Sequence, residues 1–209
     1  MRKFAAILTV LAFVPLASAA VTNMQVNGVD NSGEPALAGF VTQDVVIDFA
    51  GQWTGSQLLI TLDTGSIYQD VEGGATPPSG TLIGFVPSLE FDTFVAAGGT
   101  TSATSETFSL GAGAVDLGGP ATAQFDTVGI NQAWNPPGGA DIADRTGFVT
   151  ARVSLSDDAT GTWQYLASAG GVISTYEGPV SGGQMVPEPA TLSLLGLGGL
   201  GVLIRRRRS

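Results

Sequence analysis

Apolar and polar residues alternate along many short stretches of this chain, and clusters rich in glycine, proline, serine and threonine separate these stretches. The clearest example is residues 149–155, where Val149, Ala151 and Val153 would face one side of a strand and Arg152 the other. The pattern predicts strands at residues 21–27, 42–49, 57–62, 81–86, 89–95, 107–110, 122–128, 147–155, 162–169 and 172–176.

The spacing of these strands predicts an all-β fold. Between residues 20 and 186 no apolar pattern with the 3.6-residue period of a helix continues for helical length. Short strands separated by turn-rich loops are typical of a two-sheet β-sandwich, for which we expect jelly-roll wiring. Loops that could meet a ligand are predicted at residues 72–80, 96–105, 111–120 and 135–143.

The beginning of the chain has the parts of a secretory signal peptide. Two basic residues precede an apolar run at residues 4–16, and the small residues Ala17 and Ala19 fit a signal-peptidase site. We therefore expect signal peptidase to remove residues 1–19, with the cut immediately before Ala20.

The end of the chain combines a stiff stalk, an apolar run and a basic cluster. The stalk is Pro187-Glu188-Pro189, in which each proline restricts its own backbone and that of the preceding residue. Residues 190–204 are uncharged and would span roughly 22 Å as a helix, which is short for a hydrocarbon core of about 30 Å. The basic cluster, expected on the cytoplasmic side, is Arg205, Arg206, Arg207 and Arg208.

This order of parts resembles the PEP-CTERM sorting signal, and the resemblance is confined to residues 187–209. It implies that an exosortase-type membrane peptidase recognises the tail and cleaves it near residues 187–190 during export. A transmembrane helix at residues 190–204 would anchor the chain before processing, and the body would then pass to the cell surface or the extracellular matrix. A plain C-terminal membrane anchor is the alternative, and the resemblance carries no activity for the body.

Setting both ends aside leaves residues 20–186 as one predicted β-sandwich domain. Of the 18 acidic residues in the chain only Glu188 lies outside this part, and of the 8 basic residues only Arg145 and Arg152 lie inside it. The domain therefore carries 17 negative and 2 positive charges, a net charge of −15. Nucleic-acid binding depends on lysine and arginine contacts to phosphates, so this composition excludes a nucleic-acid partner.

Cysteine and histidine are both absent from the chain. Their absence excludes disulfides, Ser-His and Cys-His catalytic pairs and histidine-ligated zinc sites for this chain acting alone. Carboxylate chemistry is the remaining catalytic option, and we expect neither an enzyme nor a bound cofactor.

One carboxylate motif, Asp63-Thr64-Gly65, is similar to the active-site loop of aspartic proteases. Their chemistry needs two carboxylates that share a proton, and the chain contains no second Asp-Thr-Gly. A homodimer could supply the second aspartate, whereas a strand that ends in a tight turn is the simpler interpretation.

Two binding functions stay open at this point. Carboxylate oxygens suit Ca²⁺, although no EF-hand spacing is present and solvated loop carboxylates are the alternative, for Asp141, Asp144, Asp157 and Asp158. An aromatic sugar-binding face is the second option, with core packing as its alternative, for Trp53, Trp134 and Trp163.

The sequence therefore predicts an exported, non-enzymatic protein of structural or adhesive type. A carbohydrate-binding module that recognises extracellular polysaccharide is the alternative function. A dimeric aspartic protease that acts through Asp63 is the third.

Overall fold

The computed structural model describes residues 20–138 and 140–188 of the chain. Half of these residues lie in strands and few lie in helical turns, which confirms the predicted all-β class. The strands are β1 (Val21–Val29), β2 (Phe40–Thr64), β3 (Phe94–Val95), β4 (Ser109–Leu110), β5 (Gln124–Phe125), β6 (Gly129–Asn135), β7 (Ile142–Ser156), β8 (Thr160–Ala169), β9 (Val172–Ser181) and β10 (Gln184–Met185). The helical segments of the described ranges are the α-helical turn α1 (Gly80–Ile83) and 3₁₀ turns at Pro35–Leu37, Pro87–Phe91 and Val115–Leu117.

The strands form one open antiparallel sheet that is joined through β2, a strand of 25 residues. The part of β2 up to Phe49 lies between β1 and β7, and the part from Ser56 onward lies between β6 and β8. Beyond β8 the sheet continues to β9 and β10, while the short β4 and β5 pair with β6. The predicted two-sheet sandwich with jelly-roll wiring is not confirmed, because the two strands expected at 42–49 and 57–62 are one continuous strand.

Two glycines allow β2 to change its neighbours without an intervening loop. Gly51 has a φ of 81°, which is left-handed backbone that other residues rarely adopt. Gly55 has a φ of 153°, and a Cβ at this position would lie 3.0 Å from the carbonyl oxygen of Trp134 on β6. Register shifts against β7 and β8 occur in the same region, as expected where β-bulges bend a strand.

The buried side chains of the two parts of β2 belong to one hydrophobic cluster. Val45 and Ile47 come from the first part, and Leu58 and Ile60 from the second. Burial of each such side chain contributes roughly 1.5–3 kcal/mol relative to exposure, so this shared core stabilises the whole sheet in the absence of disulfides. The other large members of the core are Trp53, Trp134, Phe148, Trp163 and Tyr165.

Two predicted strands in the middle of the chain are wrong. Residues 81–86 include α1, whose residues are not buried, and residues 89–95 include the end of a 3₁₀ turn and only the short strand β3. Pro87 begins that turn, where its fixed backbone suits the first helical position and its missing N–H costs nothing.

Strand β6 was not predicted, although it is largely buried. Its apolar Ile130 and Trp134 are separated by Asn131 and Gln132, which hides the apolar pattern. Asn131 is nevertheless 1 % exposed, because it accepts a hydrogen bond from Ala114 N–H and donates to Pro120 and Thr122 carbonyls. Its side chain ties β6 to the loop that precedes it in the chain.

Candidate functional site

The described part of the chain ends in a tight hairpin formed by β9 and β10. Val180 pairs with Met185 and Ser181 with Gln184, so the connection consists of Gly182 and Gly183. These glycines have φ values of 59° and 71°, the left-handed backbone that a two-residue hairpin turn of type I′ requires. The hairpin therefore fixes the register in which the residues after the turn pair with β9.

A single buried side chain clamps this hairpin from across the core. Gln43 of β2 is 4 % exposed and donates from Nε2 to the carbonyl oxygen of Gly183 at 2.8 Å. Its Oε1 accepts a hydrogen bond from Met185 N–H at 2.9 Å, and the Met185 side chain lies in the hydrophobic core. One amide thus satisfies a buried acceptor and a buried donor, which holds the chain firmly up to residue 185.

Beyond β10 the chain continues antiparallel to β9 for three more residues. Val186 N–H donates to the carbonyl oxygen of Pro179 at 3.0 Å, and Glu188 N–H donates to that of Glu177 at 3.2 Å. Pro187 lies between these two donors. The N–H of a residue at this position would point away from β9, so its absence in proline costs no hydrogen bond to β9. We call residues 186–188 the junction segment.

The junction segment is held more weakly than an ordinary strand pair. In an antiparallel pair of this kind the two residues exchange two hydrogen bonds, but Pro179 has no N–H to return to the Val186 carbonyl. Val186 is 42 % exposed, and the side chains of Pro187 and Glu188 are also exposed. Backbone hydrogen bonds, rather than buried side chains, therefore hold this segment.

A buried donor lies beneath the junction segment. Trp163 of β8 is 1 % exposed, and its Nε1 has no hydrogen-bond partner among the described residues. A Cβ built on Gly178 would overlap the Val186 carbonyl oxygen and lie 3.1 Å from Trp163 Nε1, so that carbonyl and the indole N–H lie within about 5 Å of each other. Gly178 is thus required for the close approach of the junction segment.

Grooves flank the junction segment on both sides. Glu188 borders a groove of about 520 Å³ whose walls include Gln164, Glu177 and Pro179. Pro187 and Val186 border a second groove of about 300 Å³, formed with β1 and β2. Residues of the junction segment thus line both grooves, and their side chains are exposed.

Comparison with known protein families identifies the motif to which the junction segment belongs. A family model for the PEP-CTERM protein-sorting motif matches residues 186–208. The C-terminal tail is a PEP-CTERM sorting motif. No curated protein and no solved structure matches the chain.

The PEP-CTERM motif marks an exported protein that is sorted to the cell envelope and processed by exosortase, a membrane peptidase. The matched range begins at Val186, directly after β10, so the motif starts while the chain is still paired with β9. Within the described residues no helix has the length and apolar character needed to cross a membrane.

The structure shows only part of the residues predicted for processing. Pro187 and Glu188 lie exposed on the edge of the sheet. Ala20 opens the described part, and its carbonyl oxygen accepts a hydrogen bond from Ala50 N–H at 3.0 Å, so the predicted signal-peptidase cut lies directly before the sheet. The predicted residues outside the described ranges are Ala17, Ala19, Pro189, the helix at 190–204, Arg205, Arg206, Arg207 and Arg208, and their roles stay predictions.

Asp63 lies at the exposed end of β2, where the sequence places a turn. Thr64 Oγ1 shares a hydrogen bond with Thr160 Oγ1 at 2.8 Å, and Gly65 has a φ of 83°. A Cβ on Gly65 would lie 2.5 Å from the backbone of Ala159. In the part of the chain that the structure describes, this motif packs as a turn against the β7–β8 connection, and no second carboxylate bonds to Asp63.

The four aspartates considered for Ca²⁺ do not converge on one site. Asp141 and Asp144 lie at the start of β7, where Asp144 accepts a hydrogen bond from Gly51 N–H. Asp157 and Asp158 follow its last residue, so a strand of 15 residues separates the two pairs by roughly 45 Å. Residues 20–138 and 140–188 contain no group of three potential metal ligands.

The three tryptophans all lie in the core and not on an exposed sugar-binding face. Trp53, Trp134 and Trp163 are each at most 1 % exposed. Trp53 Nε1 donates to Ser56 Oγ at 3.1 Å, and Trp134 Nε1 donates to the carbonyl oxygen of Ala96 at 2.9 Å. These tryptophans therefore do not form the optional sugar-binding face, and core packing, the alternative, is their role.

A buried carboxylate that motif reasoning did not single out organises the loop after β2. Asp92 is 1 % exposed and accepts hydrogen bonds from the N–H groups of Asp70 and Gly74. Burial raises the pKa of Asp92 to about 6, against the opposing effect of these hydrogen bonds. A Cβ on Gly73 would overlap the Asp92 carboxylate, so the Gly73-Gly74 pair is the sequence signal for this close approach.

The pKa of Asp70, which lies beside this buried carboxylate, is shifted in the opposite direction. Burial alone would raise the pKa of Asp70, but hydrogen bonds from Ser88, Glu72 N–H and Tyr68 together hold it below its usual value. The two aspartates have different partners and serve to hold the loop, and neither lines the grooves beside residues 186–188.

Proposed function

We propose that this chain is a structural or adhesive protein of the cell surface or extracellular matrix, delivered through its PEP-CTERM motif. The observation that carries the proposal is the match at residues 186–208, which begins where the sheet ends. A folded body followed directly by a sorting motif suits a protein that is exported, folds and is then separated from its tail.

The surface of the body supports a non-enzymatic role. Its acidic residues are distributed over the sheet and its loops, and Asp63 lies in an exposed turn. The net charge of −15 keeps such a protein soluble outside the cell and attracts divalent counterions without a specific site. We accordingly assign the body neither a catalytic residue nor a cofactor.

Carbohydrate binding is the second candidate, now supported by the larger groove, whose lining includes the buried Trp163, rather than by an exposed face of tryptophans. Gln164 Nε2 donates to Glu177 Oε2 at 3.0 Å on its wall, and this pair of amide and carboxylate offers donors and acceptors to sugar hydroxyls. Such a ligand would tether the body to extracellular polysaccharide.

A deletion strain complemented with the full chain tests the adhesive role. We expect the protein to be retained on cells or in matrix and cell aggregation to fall when it is deleted. The double variant Gln164→Ala/Glu177→Ala separates the candidates, because it should lose matrix retention only if polysaccharide binding uses the groove. Unchanged aggregation and complete recovery of the protein in the medium would contradict both candidates.

A further inference from the structure

The PEP-CTERM motif overlaps the sheet, and this overlap creates a conflict between folding and processing. Val186 and Glu188 use their backbone N–H groups to bond Pro179 and Glu177. A peptidase that recognises this segment in extended form must also bond backbone N–H groups, and the segment offers only those of Val186 and Glu188 because Pro187 has none. The junction segment therefore cannot serve β9 and a peptidase that binds it as a strand at the same time.

The short distance to the apolar run sharpens this conflict. Glu188 is the last residue seen bonded to β9, and the apolar run begins two residues later at Ala190. Two residues of extended chain reach at most about 7 Å. With the junction segment docked, the folded body is therefore held close to the start of the apolar run, and the N–H groups of Val186 and Glu188 are not available to a membrane peptidase.

We propose that the edge of β9 is a docking site for the chain's own PEP-CTERM motif, and that the junction segment must leave this edge before exosortase can cleave. This inference rests on the proposed processing by exosortase. The strength of docking on β9 thereby determines what fraction of molecules has a motif accessible to exosortase. The hydrogen bonds of Gln43 to Gly183 and Met185 keep the chain bound up to residue 185, so the detached segment begins at Val186.

The contacts of the junction segment suit a latch that opens without unfolding the body. Pro179 withholds one hydrogen bond from the Val186 carbonyl, and that carbonyl lies within about 5 Å of the Trp163 N–H, which has no partner among the described residues. Each neutral hydrogen bond changes an equilibrium roughly two- to tenfold, so a segment with two such bonds opens often. Residue 185 and those before it stay bonded to Gln43 and to the core.

Two substitutions on β9 should move the latch in opposite directions. Gly178→Ala introduces a Cβ that overlaps the Val186 carbonyl, so it should displace the junction segment and speed cleavage. Pro179→Ala supplies the missing N–H, so it should strengthen docking and slow cleavage roughly two- to tenfold. Gly80→Ala is the matched control, because a Cβ on Gly80 meets nothing within 4 Å.

The experiment follows loss of the tail from the full chain by intact mass, in membranes that contain exosortase. We expect the order of cleavage rates to be Gly178→Ala, then wild type together with Gly80→Ala, then Pro179→Ala. Equal rates for all four proteins, or faster cleavage of Pro179→Ala, would overturn the inference while leaving the proposed function intact. No cleavage of the wild type would overturn the proposed function and this inference together.

A covalent latch keeps the inference testable if Gly178→Ala does not fold. The natural chain contains no cysteine, and Val186 and Pro179 are a hydrogen-bonded pair, for which the Cα separation of about 5.5 Å suits a disulfide. We expect the oxidised Pro179→Cys/Val186→Cys protein to be cleaved at least about tenfold more slowly than the same protein after reduction. Equal cleavage of the two forms would overturn the inference.

Discussion

The backbone N–H of Met185 donates a hydrogen bond to Oε1 of Gln43 at 2.9 Å, between residues that lie 142 positions apart in the chain. The same side chain donates to Gly183, so the amide holds the final hairpin turn and the strand that follows it. The last strand before the sorting motif is therefore fixed to the long central strand of the sheet. This link makes the start of the motif part of the folded body.

Loss of the Gln43 amide should destabilise the whole protein. Gln43→Ala leaves the Met185 N–H and the Gly183 carbonyl buried without partners, which we expect to cost roughly 2–4 kcal/mol of unfolding free energy. Urea unfolding measures this change. Gln25→Ala on the exposed face of β1 is the control and should stay within about 0.5 kcal/mol of wild type. Equal effects would contradict the clamp.

The two arginines of the body should differ strongly in their contribution to stability. Arg152 donates to both oxygens of Asp44 at 2.7 and 2.8 Å and to the Glu90 carbonyl, with its side chain 8 % exposed. Arg145 bonds to Glu106 with 50 % of its side chain exposed. Arg152→Met should cost about 3–5 kcal/mol because it leaves a buried charge, and Arg145→Met less than about 1 kcal/mol.

Chemical denaturation of both arginine variants at neutral pH and moderate salt measures the difference. Methionine keeps an apolar stem in each case, so that loss of packing contributes little. A small effect of Arg152→Met would mean that the pair with Asp44 is not needed to hold the two strands.

The stability of the protein should fall as pH rises between about 4 and 6. The pKa of Asp92 is about 6 in the folded protein, against 3.8 for an exposed aspartate as in the unfolded chain, so the folded protein binds more protons in this interval. The contribution of Asp92 to the free energy of unfolding is fully present below pH 4. It is lost as pH rises through 6, by up to about 3 kcal/mol.

Unfolding free energies measured across this pH range in Asp92→Asn test the assignment. The variant carries no ionisable group at this position, so we expect its pH dependence to lack the fall seen in wild type. Asp63→Asn, which changes an exposed aspartate, should keep that fall. If both variants follow the wild-type curve, Asp92 does not titrate in this interval.

Two tryptophans of similar burial should respond differently to the same substitution. Trp134→Phe leaves the buried Ala96 carbonyl without its donor, whereas Trp163→Phe removes an N–H that has no partner among the described residues. The loss of volume is the same, so we expect Trp134→Phe to be more destabilising by about 1–3 kcal/mol. Thermal unfolding of the two variants makes the comparison, and the reverse order would contradict the assigned hydrogen bonds.

The late strands of the sheet could be predicted because their apolar side chains alternate. Val153 and Leu155 of β7 are buried as predicted, but Arg152 and Ser154 between them are buried as well, because the segment at residues 90–95 covers that face and bonds to both of them. Strand β6 escaped prediction because Asn131 is buried by bonds to a loop, which no local pattern reveals. The continuity of β2 could not be predicted either. Gly51 and its neighbours have the composition of a loop, but in the structure they form a bend within one strand.

The sorting motif could be predicted from sequence, whereas its docking could not. The proline-glutamate-proline stalk, the apolar run and the arginines are adjacent in the chain, so their order alone carries the resemblance. The bonds from Val186 and Glu188 to β9 depend on the hairpin register set by Gly182 and Gly183. That register also depends on Gln43, which is far away in sequence.

The most direct test of the central claim is the intact mass of the protein recovered from cells with and without exosortase. With the peptidase, we expect a species that begins at Ala20 and ends between residues 187 and 190, outside the membrane fraction. Without it, the tail should remain and the protein should stay with membranes. A full tail in every fraction from exosortase-containing cells would contradict the account.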